Sequence, residues 1–475
     1  MIGELSAAER AVWEGFAAGG HVDLAGRGDR TIRAGVLRPL LAGAQEAGSV
    51  LVPALYVHHA RVAGHFDLRF TEVRHHIRLE DCDFDRPINL HGARLRQFTL
   101  VTCSFPGLDA TTAQIEGSLV LADCTITGRT ELPGARVSGA VILDGSRLEG
   151  LDATGLQVGT DIVARPRHDG IPFSCRGRLD IKRANVGGSV LFEGAALSHP
   201  GRTALSAMDL TVGAIMNCCE GFAVDGKIDL SFADVRSKVC FKEAHLGNPG
   251  DVALRARHLK ADEFVLPVTA PVDGHVDLRH ARIGVIRDDR ATWPATLSQD
   301  GLVYQALEPH LPAARRLDWV ARDPAGYLPH AYEQLAATYR RLGQDADART
   351  VLLAKQRRRR GTVGPLPRLW GYLQDLTAGY GYRPLRAAAW LAVLLAAGAV
   401  FFASHPPPPA EAGKGLVFSP VMYALDLLLP VVDFGQQGAF RPAGGAAWVA
   451  YGLIAAGWLL AITVVAAITR TLSRQ

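Results

Sequence analysis

The chain has 475 residues, a formal net charge of +4 and seven cysteines. Its length allows two or three domains, and so small a net charge excludes an electrostatic argument for a nucleic-acid partner. The cysteines form no Cys-x-x-Cys pair, and the first residues include Glu4, Glu9 and Glu14 instead of an apolar leader. These features predict free thiols in a reducing compartment.

Two short helices are predicted at the N-terminus. Ser6 and Glu9 have the spacing of a capping box, which begins a helix that carries Phe16 on its apolar face. A second apolar periodicity predicts a helix over residues 31–43. We assign residues 1–50 to a helical cap that covers the end of the region that follows.

Internal repetition dominates residues 51–290. The pattern Ala-x-φ-x-Gly-x-φ-x-φ, in which φ is apolar, recurs from Ala60, Ala113, Ala135 and Ala184, and with serine for glycine from Ala233. Apolar residues at every second position predict short strands with one face inward, and stacked coils place these strands about 4.8 Å apart. The region is therefore predicted to be mainly β, a parallel β-helix of about eleven coils.

A ladder of cysteines supports this spacing. Cys82, Cys103 and Cys124 are 21 residues apart, the length of one coil. Cysteine is small and often buried, so we expect the ladder to fill the interior of the coils. Equivalent positions on stacked coils point the same way and do not converge on a tetrahedral metal site. No catalytic residue, metal ligand or cofactor site is predicted.

The small-residue-x-apolar steps resemble the core positions of pentapeptide-repeat proteins, as at Ala93-x-Leu95, Ala135-x-Val137 and Ala195-x-Leu197. The resemblance implies a right-handed, four-sided β-helix. Members of that family that imitate DNA have acidic surfaces, whereas charges in residues 51–290 are nearly balanced. The resemblance therefore does not imply a DNA-mimic function here.

Helical periodicity is predicted from residue 297 to residue 358, and we assign residues 291–384 to a helical adaptor. Its apolar face and Gly343 have the spacing of one helical hairpin of the tetratricopeptide type. A basic cluster follows, formed by Arg357, Arg358, Arg359 and Arg360. We predict that it contacts the anionic inner leaflet, where each basic residue contributes about 1 kcal/mol. A stop-transfer cluster is the alternative, and both roles are compatible.

Two uncharged runs follow, 18 residues over 387–404 and 26 residues over 444–469. A membrane-spanning helix needs about 20 apolar residues, so both runs are predicted to span. The alternative is a pair of helices buried in a soluble core. Residues 385–475 are assigned to a two-helix transmembrane anchor.

Flanking charge predicts the orientation of this anchor. Arg383 and Arg386 precede the first run and Arg474 follows the second, whereas the connection over residues 405–443 carries only Lys414 and Arg441. Basic residues remain on the cytoplasmic side of membranes. We therefore predict a two-pass protein of the inner (plasma) membrane with both termini in the cytoplasm.

The connection contains a short predicted helix, with Ser419 as N-cap, an apolar stretch that includes Asp426, and Pro430 at its end. The helix is too short to span. It either lies flat on the outer surface or enters the membrane and returns as a re-entrant hairpin. In the second case Asp426 and Asp433 lie at membrane depth, where ionisable groups are usually functional. They are the candidate pore residues.

The whole layout resembles a group of actinobacterial membrane proteins with a β-helical cytoplasmic region and two C-terminal helices. The resemblance is carried by Tyr332-Glu333-Gln334-Leu335-Ala336, Ala354-Lys355-Gln356-Arg357 and Leu429-Pro430-Val431-Val432-Asp433. Members of this group are frequently labelled oxidoreductases. The sequence has no Gly-x-Gly-x-x-Gly between a strand and a helix and no haem-attachment motif to support that label.

Three functions remain open at this stage. The first is a membrane-anchored scaffold or sensor whose β-helix binds a cytoplasmic protein, because solenoids offer long regular binding faces. The second is an oligomeric pore built from the two helices and a re-entrant segment, which requires a homo-oligomer. The third is a redox enzyme. The expected partners are the lipid bilayer and an unknown cytoplasmic protein, with no nucleic acid.

Overall fold

The computed structural model describes residues 5–43, 54–167, 169–362, 364–378, 384–410, 417–429 and 432–472. The chain forms two compact units, Met1–Gln334 and Leu335–Gln475. The first unit is a parallel β-solenoid of about 12 turns, with helices at its ends. Its strands form two ladders, one of 18 strands and one of 17.

The 18-stranded ladder is one hydrogen-bonded sheet. They are β1 (His21–Asp23), β3 (Ala54–His58), β5 (Glu72–Glu80), β8 (Arg94–Val101), β11 (Gln114–Ile115), β12 (Leu119–Ala122), β15 (Arg136–Val137), β16 (Val141–Ile142), β19 (Gln157–Val158), β20 (Ile162–Val163), β23 (Asn185–Val186), β24 (Val190–Leu191), β26 (Thr211–Val212), β27 (Ile215–Asn217), β29 (Asp234–Cys240), β31 (Lys260–Val265), β33 (Arg282–Arg287) and β35 (Val303–Glu308).

The 17-stranded ladder is the second hydrogen-bonded sheet. Its strands are β2 (Thr31–Arg33), β4 (Arg61–Ala63), β6 (Asp83–Phe84), β7 (Ile88–Asn89), β9 (Ser104–Phe105), β10 (Leu108–Asp109), β13 (Thr125–Ile126), β14 (Thr130–Glu131), β17 (Arg147–Leu148), β18 (Leu151–Asp152), β21 (Ser174–Cys175), β22 (Leu179–Asp180), β25 (Ala196–Ser206), β28 (Ala223–Asp229), β30 (His245–Arg255), β32 (Asp273–Asp277) and β34 (Thr296–Ser298).

Ten α-helices are present in the described residues. They are α1 (Ala7–Ala18), α2 (Ala34–Gly43), α3 (Ala313–Val320), α4 (Pro329–Arg341), α5 (Asp345–Arg360), α6 (Pro365–Ala378), α7 (Pro384–Ser404), α8 (Pro420–Leu428), α9 (Gln436–Ala439) and α10 (Gly445–Leu472).

The core of the solenoid is built from columns of equivalent side chains. Val22, Val57, Leu79, Leu100 and Leu121 are successive partners in parallel register and are all buried. Burying one such side chain contributes about 1.5–3 kcal/mol. Because each strand alternates inward and outward residues, a column of outward-pointing side chains lies beside every column of this kind. The predicted parallel β architecture is confirmed.

The coils turn at residues with positive φ. At one corner these are Asp81, Thr102, Asp123 and Gly145 of four successive coils, with φ values of 50°, 54°, 56° and 68°. This left-handed region is unfavourable for most side chains, although aspartate tolerates it. Gly145 also avoids a clash, because a Cβ atom there would lie 2.2 Å from Oδ1 of Asp123.

The cysteines occupy the interior, as the 21-residue spacing predicts. Cys82, Cys103 and Cys124 are buried and free. The expectation that all seven cysteines are free thiols is wrong, because Cys219 and Cys240 form a disulfide with a Cα–Cα distance of 5.9 Å. Stacking places equivalent residues of adjacent coils within the range of Cα distances that a disulfide requires.

The ladders extend beyond residues 51–290 at both ends. β1 and β2 pair with β3 and β4, and β34 and β35 pair with β32 and β33. The expectation of helix from residue 297 is wrong for the first part of that segment, because α3 begins only at Ala313. A terminal coil has a neighbour on one side only, so its sequence need not repeat the internal pattern.

The N-terminal end is closed by α1 and α2. The predicted capping box is confirmed, since Oγ of Ser6 accepts the N–H of Glu9 and the Glu9 carboxylate accepts the N–H of Ser6. Glu9 also binds Arg33 of β2 through two side-chain hydrogen bonds of 2.7 Å. Residues 31–33 belong to β2 because they pair with β4, so α2 begins at Ala34 and not at residue 31.

At the other end, α3 is fixed by a buried ion pair. Nη1 of Arg316 lies 2.5 Å from Oδ2 of Asp288, and both side chains are at most 4% exposed. The guanidinium also donates to the carbonyl oxygen of Pro309 and lies near the rings of Trp293 and Trp319. Burial raises the pKa of Asp288, although the hydrogen bond from Arg316 opposes this shift.

The second unit is helical, apart from one bridge between Pro409 and Phe440. The predicted helices on either side of Gly343, which has φ of 71°, are α4 and α5. α5 buries Ala348, Val351 and Leu352. α8 packs against both α7 and α10, and this three-helix arrangement contains the candidate site.

Candidate functional site

Among the described residues, two segments are long and apolar enough to cross a membrane, judged by length and composition. Arg386–Ser404 in α7 has a mean hydropathy of 2.1, and Gly445–Ile462 in α10 has 1.7. Only 17% and 22% of their residues are buried in the protein. A helix in a soluble core is covered on most sides, so this exposure favours lipid contact over the buried-core alternative. Large apolar side chains face outward at Trp390, Val393, Val400, Trp448, Tyr451, Trp458 and Ile462.

Helix α8 lies between these two segments and shares one apolar core with them. Its N-cap is Ser419, as predicted, with the hydroxyl accepting the N–H of Met422. The rings of Tyr423 and Phe402 meet edge to face with centroids 4.9 Å apart. The core comprises Phe402, Tyr423, Leu427, Leu428, Phe440, Ala450 and Leu453.

Two glycines allow α8 to approach the longer helices closely. A Cβ atom on Gly398 of α7 would lie 2.9 Å from Leu453 and 3.1 Å from Ala424. A Cβ atom on Gly457 of α10 would lie 2.2 Å from the carbonyl oxygen of Leu428. Along the helix axes, Ala424 therefore lies at the level of Leu453, and Leu428 lies at the level of Gly457. Helix α8 thus runs alongside α10 in the same direction.

This alignment fixes how far α8 extends along its neighbours. Gly457 is the thirteenth residue of α10, which places it about 18 Å from the beginning of that helix at 1.5 Å per residue. Half the hydrocarbon core of a membrane is about 15 Å. The C-terminal end of α8 thus lies near the middle of the apolar length of α10.

Asp426, predicted from sequence as a candidate pore residue, is 2% exposed within this core. Its carboxylate accepts three backbone N–H groups, from Phe434 at 2.9 Å, Gln436 at 2.9 Å and Gln437 at 2.7 Å. A buried carboxylate with three donors is a stable structural group. Asp426 fixes the chain that follows α8 and caps the N-terminal end of α9.

Asp433, the second candidate, is exposed and lies on the other side of the same turn. Its Oδ1 atom accepts the N–H of Gly435 at 2.7 Å, and Gly435 has φ of 75°. The structure therefore places the two predicted residues on one short segment but gives them different environments. Only Asp433 is accessible.

No known family, curated protein or solved structure matches this chain. The resemblances noted in the sequence therefore rest on its repeats and layout alone.

The four arginines of the basic cluster at the end of α5 differ in their contacts. Arg357 and Arg360 bind Asp375 of α6, with closest distances of 3.0 and 3.3 Å. The Arg360 guanidinium also lies 3.8 Å from the centroid of the Tyr372 ring. Arg358 and Arg359 are exposed and form no ion pair with another described residue. They therefore remain accessible members of the cluster.

The exposed columns of the solenoid include a row of stacked rings that the repeat pattern did not predict. The rings of Phe232 and His258 lie 4.6 Å apart and those of His258 and His280 lie 5.0 Å apart, nearly parallel in both cases. Arg257 and Arg279 beside them bind Asp277. We call Phe232, His258 and His280 the ring column. In the sequence, the ring column is indicated only by bulky residues at corner positions, and the coils that carry them differ slightly in length.

Several predicted features lie outside the described residues. These are Arg383, Lys414, Pro430, Val431 and Arg474. Within the described residues, no group of three or more His, Cys, Asp or Glu side chains is arranged to hold a metal ion.

Proposed function

We propose that this chain is a membrane-anchored scaffold whose β-solenoid binds a cytoplasmic protein at the inner face of the plasma membrane. The observation that carries the proposal is the combination of a 12-turn solenoid with two apolar helices that expose their side chains outward. A solenoid presents long regular faces, and an anchor concentrates them at a membrane. The flanking arginines support a cytoplasmic position for both termini.

The ring column is the proposed contact surface for the partner. Phe232 is 54% exposed, so its stacking on His258 leaves much of this large apolar side chain open to solvent. Aromatic and arginine side chains dominate the binding energy of protein interfaces. Arg257 and Arg279 flank the rings and have their orientation fixed by Asp277.

A photo-crosslinking amino acid at position 258 of the full-length protein tests this surface in cells. We expect one discrete crosslinked species, and we expect Phe232→Ala to remove it. The same amino acid at position 70 is the matched control, since Phe70 is also a corner residue and is 75% exposed. Identical crosslinks from positions 70 and 258 would indicate nonspecific contact instead of specific binding, and would contradict the proposal.

We also propose that the solenoid has the right-handed, four-sided form of pentapeptide-repeat proteins. The two-residue strands β13 to β24, most of which bury a valine, leucine or isoleucine, support this assignment. An experimental structure that shows a left-handed coil would refute it.

A second candidate function is an oligomeric pore. The observation that favours it is the position of α8, wedged between α7 and α10 instead of lying outside them. Cation-dependent leak from liposomes that contain the purified protein would support this function. Liposomes that remain impermeable at every protein density would contradict the pore and leave the scaffold as the proposed function.

A further inference from the structure

The segment that follows α8 has an unusual position if α7 and α10 cross the membrane. We call Val432–Gln437 the return segment, since it leads back from the end of α8 toward α9. Asp426 binds its backbone, and Asp426 is level with the middle of α10. Val432 is 47% exposed and Phe434 is 38% exposed. The protein thus presents irregular backbone on its surface at membrane depth.

The N–H groups and the carbonyl oxygens of the return segment differ in their hydrogen bonding. The N–H groups of Val432, Phe434, Gly435, Gln436 and Gln437 are all bonded within the protein. Among the described residues, nothing donates to the carbonyl oxygens at positions 432 to 434. The exposed side of the return segment therefore offers oxygen acceptors, including the carboxylate of Asp433, and few donors.

Lipid cannot cover such a surface. Each unsatisfied polar group in hydrocarbon costs several kcal/mol, and irregular backbone occurs at membrane depth only where protein or water covers it. An ionised aspartate facing lipid adds a further cost of about 2.5–3.5 kcal/mol. A soluble partner does not reach this depth, so the cover must come from another membrane-embedded surface.

We propose that the return segments of several copies of this chain surround a common axis and enclose a water-filled path that binds cations. The proposal deepens the oligomeric pore, the second candidate function, and it rests on the membrane anchor but not on partner binding by the solenoid. A closed ring of identical copies gives every return segment the same cover and leaves no uncovered edge. The occupant of the exposed face is thus a second copy of this chain on each side.

The chemistry of the path follows from its lining. Carbonyl oxygens and carboxylates are the groups that replace the hydration shell of hard cations in channels. One Asp433 per copy would place like charges close together, and a cation between them relieves that repulsion. Asp426 lies behind the lining, where it holds three N–H groups away from the path, and it acts as a positioning residue.

Thiol labelling in nanodiscs tests the proposal on the full-length chain. Gln437→Cys places a thiol on the exposed side of the return segment, and Val400→Cys is the control on the outward face of α7, where the parent side chain is 71% exposed. We expect a cationic methanethiosulfonate reagent to label Gln437→Cys at least tenfold faster than Val400→Cys, since thiols in lipid remain largely unionised. Oxidation should crosslink Gln437→Cys copies to covalent dimers and leave Val400→Cys monomeric.

Charge selectivity provides the second readout. The cationic reagent should label Gln437→Cys faster than an anionic one of the same size, and Asp433→Asn should reduce this ratio about tenfold, as expected for removing a charge at each copy. Equal rates at Gln437→Cys and Val400→Cys, or a monomer mass in nanodiscs, would overturn the proposal. Extraction of the parent chain by alkaline carbonate would refute the membrane anchor instead, so the two failures are distinguishable.

Discussion

Gln436 and Asp426 hold the two ends of α8 to one short segment. Oδ2 of Asp426 accepts the backbone N–H of Gln436 at 2.9 Å, and Oε1 of Gln436 accepts the N–H of Ser419 at 3.4 Å. The side-chain amide of Gln436 also donates to the carbonyl oxygen of Val417. A nine-residue helix is too short to be stable alone, so these bonds and its apolar core determine its position.

Removing the Asp426 carboxylate should release this segment. Asp426→Ala leaves three N–H groups without acceptors, one of them buried and two partly buried, and we expect a loss of about 3 kcal/mol in the stability of the helical unit. Thermal unfolding in detergent measures this loss. Asp433→Asn is the control, because Asp433 is exposed and accepts a single N–H; a comparable loss from Asp433→Asn would contradict the structural role given to Asp426.

Sequence reasoning found Asp426 and Asp433 but could not separate their roles. Both are acidic residues in an apolar segment, and their spacing of seven residues is compatible with either side of a turn. What distinguishes them is the return of the chain at residues 434–437, which brings three N–H groups to Asp426. That contact depends on tertiary packing, so no local pattern contains it.

Close packing at Gly457 provides a second prediction. Gly457→Ala places a methyl group 2.2 Å from the carbonyl oxygen of Leu428, so α8 must move away from α10. We expect lower thermal stability and more rapid proteolysis within residues 417–429. Gly452→Ala is the matched control on the same helix, since a Cβ atom there meets nothing within 4 Å. If both substitutions are neutral, α8 does not pack against α10 as described.

The buried ion pair at the C-terminal end of the solenoid leads to a third prediction. Arg316→Ala leaves the Asp288 carboxylate buried without its partner, which should cost about 3–5 kcal/mol. Urea unfolding followed by tryptophan fluorescence reports on this region through Trp293 and Trp319. Arg290→Ala is the control and should cost less than about 1 kcal/mol, because the Arg290–Asp318 pair is exposed.

Glu9 makes stability depend on pH. The hydrogen bond from Arg33 lowers the pKa of Glu9 from its ordinary value to about 2. Because the folded-state pKa lies below the unfolded value near 4.5, the ionised Glu9 carboxylate stabilises the protein above pH 4.5. This stabilisation is lost as the pH falls toward 2. We expect Glu9→Gln to cost about 2 kcal/mol at pH 7 and much less near pH 2.5, allowing for the exposed Arg33 side chain.

Urea midpoints of the parent chain and Glu9→Gln across this pH range measure that dependence. Arg74→Gln is a suitable control, since its partner Glu72 belongs to an exposed pair. A constant difference between the parent chain and Glu9→Gln from pH 7 to pH 2.5 would show that the carboxylate charge is not the cause.

The solenoid itself was predictable because its signal is repeated many times. The 21-residue cysteine spacing and the alternating apolar residues specify parallel coils and an apolar interior, and both are present. The first and last coils were missed because they lack the repeat. The Cys219–Cys240 disulfide was missed because the same spacing is equally compatible with stacked free thiols.

The depth of α8 in the bilayer is the most direct test of this account. Nitroxide labels at Met422→Cys, in the first turn of α8, and at Val432→Cys, after its end, report depth through their relative collision rates with oxygen and with a polar nickel chelate. Both parent side chains are accessible, at 37% and 47% exposure. The account predicts that position 432 lies about 10 Å deeper than position 422 relative to the outer surface, following the rise of the helix between them. Equal, shallow depths at both positions would mean that α8 lies flat on the membrane, and would contradict the re-entrant arrangement.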